Sequence, residues 1–279
     1  MTSTPRAAPR LPPSALAHWD ALERDIDGRT PAMFIDYDGT LTPIVERPDR
    51  AVLSEPMRRI VRRLAARFPT TIVSGRGRED VARLIALDDV GVAGSHGFDI
   101  AVHNADGQPI RHEVAGEIVP VIRAAARRLE TALAGIDGVL IEPKTFTVAV
   151  HYRAVAEEDL DALDAVLERV LADHPELRKA PGKKVFELRP RIDWDKGKAV
   201  LWLLEQLRLD RPDFVPIFLG DDVTDEDAFR ALERRGIGIA VIAVPRPTVA
   251  QYTLHDTGEV GRLLERISEL PPTREERHT

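Results

Sequence analysis

The chain has 279 residues, a formal net charge of −7, 43% hydrophobic residues and no cysteine. That length allows one large or two medium globular domains with a substantial core. The acid excess, without a basic run or an aromatic–basic stripe, argues against nucleic acid as a partner. Lack of cysteine excludes disulfides, thiolate catalysis and cysteine metal sites, and makes a reducing cytoplasm the expected location. No stretch approaches the ~20 apolar residues of a membrane helix, so no membrane partner is expected.

In chain order, residues 1–30 read as an N-terminal lead-in and helix. Met1 to Pro13 carries Pro and Arg without the apolar stretch of a secretory signal, and is expected to be disordered. Five short apolar runs follow, of the kind buried on both faces of a parallel sheet. They are Ala32–Ile35, Thr70–Val73, Val90–Ala93, Val215–Leu219 and Ile237–Val241. Helical patterns lie between them: Ile60, Val61, Leu64, Ala65 and Phe68 share one face, and Leu201, Leu204 and Leu207 another. Thr224 is placed to cap a helix running through Phe229 and Leu232, with Asp225, Glu226 and Asp227 in its acid-favouring first turn.

The middle third has a different pattern, with helical stretches at about 116–133 and 157–172 flanking alternating segments. Phe146, Val148 and Val150 alternate with Thr147, Ala149 and His151, which predicts a half-buried antiparallel strand, and Val185–Leu188 predicts another. The fold class expected is therefore α/β: a doubly wound parallel-sheet (Rossmann-like) core with an inserted α+β cap domain. The core occupies 31–108 and 190–270, the cap 109–189, and 271–279 is a polar tail.

Four polar motifs stand at strand ends or a helix start. Asp36-Tyr37-Asp38-Gly39-Thr40 follows the first strand, where ligands of open parallel sheets bind. Its two carboxylates suit a nucleophile and a proton donor, Gly39 admits close backbone approach, and Thr40 adds a hydroxyl. Gly220-Asp221-Asp222 with Asp225 follows the fourth strand. If these acids meet Asp36 and Asp38, the cluster repels itself without a cation, and an oxygen-only ligand set favours Mg²⁺. Ser74-Gly75-Arg76 ends the second strand, where Ser74 can donate to a phosphate oxygen. Lys196, one of only six lysines in an arginine-rich chain, begins a helix and offers a point charge for phosphate and nucleophile. Each motif alone is weak, since D-x-D-G-T is often a plain strand-to-turn junction and an acidic run is usually a solvated helix start. Chance agreement of all four in this order is improbable.

That order resembles the haloacid dehalogenase-like phosphatases. Asp36–Ile44 (DYDGTLTPI), Ile72–Arg76 (IVSGR), Gly94–Gly97 (GSHG) and Gly220–Phe229 (GDDVTDEDAF) further resemble the trehalose-6-phosphate phosphatase family. Ile141–Arg153 and Gly182–Gly197 resemble that family's cap and its return to the core. The resemblance implies that Asp36 forms an aspartyl-phosphate, that Asp38 is the general acid and base, and that Ser74 and Lys196 spread the phosphoryl charge. For its acid role, Asp38 is expected to have its pKa raised by neighbouring carboxylates.

It also implies Mg²⁺ held by Asp36, the Asp38 backbone carbonyl and Asp221, with Asp222 and Asp225 on its waters. Thr40 and Arg76 belong on the substrate side, although Arg76 anchoring its own loop is the alternative. Glu142 with Lys144, and Lys183 with Glu187, form pairs for sugar hydroxyls, whereas without the resemblance they read as exposed ion pairs. His96 either lines the cleft or is a satisfied structural histidine. Trp194 reads as hinge packing, and Arg189 and Arg191 as fixing the hinge.

The expected substrate is trehalose 6-phosphate, delivered by a separate trehalose-phosphate synthase because no synthase domain fits in this length. The rival readings are a phosphatase for sucrose phosphate or a glucosylglycerol-type phosphate, and a non-catalytic sugar-phosphate-binding regulatory module.

Overall fold

The computed structural model describes residues 11–26, 28–45, 50–182 and 184–271. In chain order its strands are β1 (Thr30–Ile35), β2 (Thr70–Val73), β3 (Gly91–Gly94), β4 (Asp99–His103), β5 (Pro109–Glu113), β6 (Leu140–Pro143), β7 (Val148–His151), β8 (Leu177–Gly182), β9 (Val185–Pro190), β10 (Phe214–Gly220), β11 (Ile237–Val241) and β12 (Tyr252–Leu254). Its helices are α1 (Trp19–Ile26), α2 (Glu55–Ala65), α3 (Arg78–Ile85), α4 (Val119–Ala132), α5 (Leu160–Asp173), α6 (Lys196–Gln206), α7 (Glu226–Leu232) and α8 (Thr257–Ser268). The chain divides into two compact units: the described residues up to His112 and from Trp194 onward, and Glu113–Asp193. The sequence reading put these joins at 108/109 and 189/190. The later first join follows from β5, which pairs into the sheet of the first unit and reaches the boundary at its last residue, Glu113.

The first unit is built on an eight-stranded sheet of order β12-β11-β10-β1-β2-β3-β4-β5. Strands β12 to β3 pair in parallel, and β4 returns antiparallel to β3. Alternation along β1 separates two cores. Met33 and Ile35 pack on one face with Val61 and Leu64 of α2 and Leu263 and Leu264 of α8. Ala32 and Phe34 pack on the other with Val200, Leu203 and Leu204 of α6 and Phe229 of α7. Burial on both faces is what the continuous apolar runs encode.

The edge at β12 is covered by the N-terminal segment, which corrects part of the expected disordered lead-in. The Thr253 amide donates to the Pro13 carbonyl and the Ala15 amide to the Thr253 carbonyl, both at 2.9 Å, while Thr253 Oγ1 donates to Pro12. Two prolines that cannot donate themselves thus shield an edge strand through their carbonyls. Residues 1–10 and 272–279 lie outside the described residues.

The second unit is a four-stranded antiparallel sheet of order β6-β7-β9-β8 with α4 and α5 packed on it. Ile122, Ala125 and Leu129 of α4, Leu163, Leu167 and Val170 of α5, and Val148, Val150 and Leu188 of the strands are buried. The half-buried alternation expected through 146–151 does not hold, because Ala149 is buried as fully as Val148 and Val150. Register explains it: Glu142 and Glu187 flank Ala149 on either side, and longer side chains cover a methyl between them.

At the end of β10, Asp222 rather than Thr224 caps the turn into α7. Asp222 and Asp225 form a reciprocal capping box, and the Asp222 amide donates to Asp225 Oδ2 at 2.9 Å. Where the chain leaves and re-enters the first unit, the His112 ring stacks on Trp202, with centroids 4.4 Å apart, and lies 6.1 Å from the Trp194 ring. Trp194 Nε1 donates to the Gly97 carbonyl at 3.0 Å, which fits the packing role read from sequence. Arg191 is likewise engaged, donating to the Pro175 and Leu177 carbonyls. Among the described residues, no helix is long and apolar enough to cross a membrane.

Candidate active site

Parallel pairing brings three of the motifs to neighbouring strand ends. Ile35 is level with Leu219 on one side and Ile72 on the other, so Asp36 begins its loop beside Gly220-Asp221 and just before the level of Ser74. The Asp36 amide donates to the Leu219 carbonyl at 2.8 Å, which fixes the first residue past the strand. Lys196 arrives from the first turn of α6, whose start is fixed by Asp195 accepting from the Lys198 amide at 2.8 Å.

Lys196 Nζ donates to Asp36 Oδ1 at 2.7 Å and to Asp225 Oδ1 at 2.6 Å, all three groups being buried. Burial alone would push the ammonium down, but Asp225 and Asp36 outweigh it and hold Lys196 cationic. Burial drives Asp36 upward, Lys196 pulls against it, and Asp225 and Asp221 add their repulsion. Asp221 is pushed up to about 7 by burial first, then by Asp225 and Asp222. Carboxylates raised in this way are short of positive charge.

The ligand oxygens of Asp36, Asp221 and Asp225 all lie within 4.8 Å of one another. An all-oxygen set of this kind fits a hard divalent cation. Gly39, at φ +80°, has no side chain where a Cβ would collide with the Asp221 carboxylate. Thr40 Oγ1 is buried without a hydrogen-bond partner among the described residues, which is a donor available to an anion at the same loop. Asp225 already carries Lys196 on one oxygen and the Asp222 amide on the other, so its part is to anchor the lysine and the loop. Asp222 is exposed, stands outside the cluster and spends its carboxylate on the capping box.

Asp38 also stands outside the carboxylate cluster. Its expected carboxylate neighbours are replaced by Arg76, which binds it two-pronged: Nε to Oδ2 at 2.6 Å and Nη2 to Oδ1 at 2.7 Å. Arg76 reaches Asp80 at 3.2 Å as well, and lies over the buried Tyr37 ring at 5.6 Å. Ser74 is buried, and its Oγ accepts from the Arg76 amide at 3.2 Å, which leaves its proton for another acceptor. His96 sits against this turn: its amide donates to the Ser74 carbonyl at 2.8 Å and its ring lies where a Gly75 side chain would stand. Ser95 and His96 both have positive φ, a strained pair held by those bonds.

In the second unit, Glu142 and Glu187 share one face of the sheet, in register on either side of Ala149. Glu142 and Lys144, read from sequence as a pair, take other partners. Lys144 Nζ lies 3.7 Å from Glu187 rather than pairing with Glu142, and Glu142 bonds His151 Nε2 at 3.0 Å. Glu187 also accepts from Thr147 at 3.0 Å and from Arg189 at 2.7 Å. Burial would raise Glu187, but Arg189 and Lys144 bring it below its ordinary value. Lys183 lies outside the described residues.

The trehalose-phosphatase family model matches residues 34–258, a span that holds every one of these side chains. The chain belongs to the trehalose-phosphatase family. Trehalose 6-phosphate phosphatase RA3 of Zea mays is 44% identical over 269 residues, covering 92% of this chain and 74% of that protein. The C-terminal domain of the C. albicans trehalose-6-phosphate phosphatase shares the fold, with a TM-score of 0.75 at 23% identity over 95% of this chain and all of that one. A haloacid dehalogenase-like hydrolase from Bacteroides thetaiotaomicron shares it at a TM-score of 0.61 and 18% identity, over 86% of this chain and 100% of that one.

Membership agrees with the resemblance read from the motifs. Sequence reasoning passed over several residues that the geometry brings in. Arg189, read as fixing the hinge, bonds Glu187, and His151, read only as a strand position, bonds Glu142. Period-2 spacing carried that signal, since 149 and 151, and 187 and 189, must share a face. Glu226 and Arg246 have no such signal, because their contact joins the start of α7 to a loop twenty residues further on.

Proposed function

We propose that this protein hydrolyses trehalose 6-phosphate to trehalose and inorganic phosphate, with Mg²⁺ as its cation and Asp36 as the nucleophile. The observation that carries the reading is the buried Asp36–Lys196–Asp225 bridge beside Asp221 at the carboxyl ends of β1 and β10. Lys196 holds Asp36 Oδ1, so Oδ2 is the oxygen that attacks phosphorus. The P–O bond to the sugar breaks as the aspartyl-phosphate forms, and Asp38 delivers a proton to the departing sugar oxygen. Asp38 then takes a proton from the water that attacks the aspartyl-phosphate at phosphorus, releasing phosphate and restoring Asp36. The Asp38 oxygen that carries the proton in the acid role gives up its bond from Arg76, and the other oxygen can keep its own.

Ser74, Thr40 and Lys196 donate to the phosphoryl oxygens and offset the charge that develops there. The cation would be held by Asp36, the Asp38 backbone carbonyl and Asp221, and supplies Lewis-acid stabilisation of a phosphoryl oxygen. Glu142, Lys144, Lys183 and Glu187 take sugar hydroxyls, mixing acceptors with donors as a polyol requires. The second unit, in this reading, is the sugar-recognition cap. The protein works in the cytoplasm on substrate made by a separate trehalose-phosphate synthase.

Phosphate release from a panel of sugar phosphates with Mg²⁺ tests this directly. Trehalose 6-phosphate should be the preferred substrate and Asp36→Asn should reduce release to background. Preference for sucrose phosphate or a glucosylglycerol phosphate sinks the substrate assignment, and an active Asp36→Asn sinks the nucleophile.

A further inference from the structure

The loop that carries Asp221 is held from behind by a side chain outside every motif. Arg246, between β11 and β12, donates through Nη2 to the backbone carbonyl of Asp221 at 2.9 Å and to that of Asp222 at 3.3 Å. Its Nη1 donates to Glu226 Oε1 at 2.6 Å. Glu226 is the first residue of α7 and is 5% exposed. Its other oxygen accepts from the Val249 amide at 2.9 Å, so Glu226 fixes both the arginine and the loop that delivers it. The guanidinium thus reaches the Asp221 loop with one nitrogen and α7 with another, a rigid planar fork that an ammonium does not offer.

We infer that Arg246, oriented by Glu226, is a positioning residue that sets the divalent-cation affinity of the site by fixing the backbone under Asp221. Asp221 is a short side chain with two torsions, so its carboxylate goes where its backbone goes. It is also raised by burial and by two neighbouring carboxylates, and nothing in that repulsion holds it in place. The Asp221 loop is stayed from within by Asp225, which takes the Asp222 amide, and from outside by Arg246. Loss of the outer stay lets the Asp221 carboxylate relax away from Asp36, and the cation loses a ligand at its proper distance. Groups that orient ligands in this way are typically worth about 10–100-fold in metal affinity.

The inference rests on the reading that Asp221 holds the cation. Calorimetric titration of the whole protein with MgCl₂ alone, without substrate, tests both. Arg246→Ala should bind Mg²⁺ about tenfold or more weakly than wild type, with Arg246→Lys and Glu226→Gln between the two. In a separate assay, the Mg²⁺ concentration giving half-maximal phosphate release should shift by the same factor, while the rate at saturating Mg²⁺ stays within about threefold of wild type. A merely structural role would lower the melting temperature and leave the Mg²⁺ affinity where it was. If Arg246→Ala does not fold, Arg246→Lys and Glu226→Gln carry the test. Folded variants that bind as tightly as wild type overturn the brace alone. A wild type that binds no Mg²⁺ overturns the metal reading and the brace with it.

Discussion

At the scale of single residues, Asp221 makes the sharpest pH prediction. Its folded pKa of about 7 stands above the ordinary carboxylate value because of burial and neighbouring acids. Its contribution to the stability of the metal-free fold is therefore complete below about pH 4 and is lost as pH rises through about 7. Mg²⁺ needs the opposite, deprotonated form. Mg²⁺ affinity measured by calorimetry should be about tenfold weaker at pH 6 than at pH 8, and equal affinities would contradict the assignment. That Asp36, Lys196 and Asp221 come together was legible from the order of their motifs. Roles decided by partners were not. Nothing in S-G-R says that its arginine would take Asp38, and nothing in E-P-K says that its lysine would reach across β7 to Glu187.

Elements decide how precisely those residues are delivered. Lys196 is the first residue of α6, and Asp195 caps the helix immediately before it. Asp195→Ala should destabilise the protein by about 1 kcal/mol, the usual worth of an N-cap. It should also lower kcat more than KM for trehalose 6-phosphate, because the ammonium loses its fixed starting point. A denaturant melt together with steady-state kinetics checks both, and an unchanged kcat would show that the bridge to Asp36 and Asp225 orients Lys196 unaided. The five core strands could be read because runs buried on both faces are continuous in the sequence. β8 escaped because it ends in Pro-Gly and carries two cations among six residues, and β12 because three residues make no pattern. β4 and β5 were not among the runs read as strands, although Ile100 and Val102 of β4 alternate with less buried neighbours in the period of a strand. The cap of α7 was misassigned because Asp222 and Thr224 are both good N-cap residues, and only the reciprocal bond to Asp225 chooses between them.

For the molecule as a whole, two units with separate cores imply two levels of stability. Leu167, fully buried under the second sheet, should cost about 2–5 kcal/mol when cut back to Ala. In hydrogen–deuterium exchange, that variant should lose protection in α4, α5 and β6–β9 while β1 and β10 keep theirs. Uniform loss along the chain would make the two units one cooperative body. The helices and the apolar-run strands of each unit were legible from periodicity, but an edge strand that reaches a boundary looks the same on both sides of it. The joins have an optical consequence. The protein has three tryptophans, and two of them, Trp194 and Trp202, stand with His112 where the chain passes between the units. The third, Trp19, lies on α1 beneath Arg266. Replacing Trp19 with Phe would leave only indoles that share one imidazole neighbour, so the emission of the unlabelled enzyme becomes a direct gauge of the two crossings.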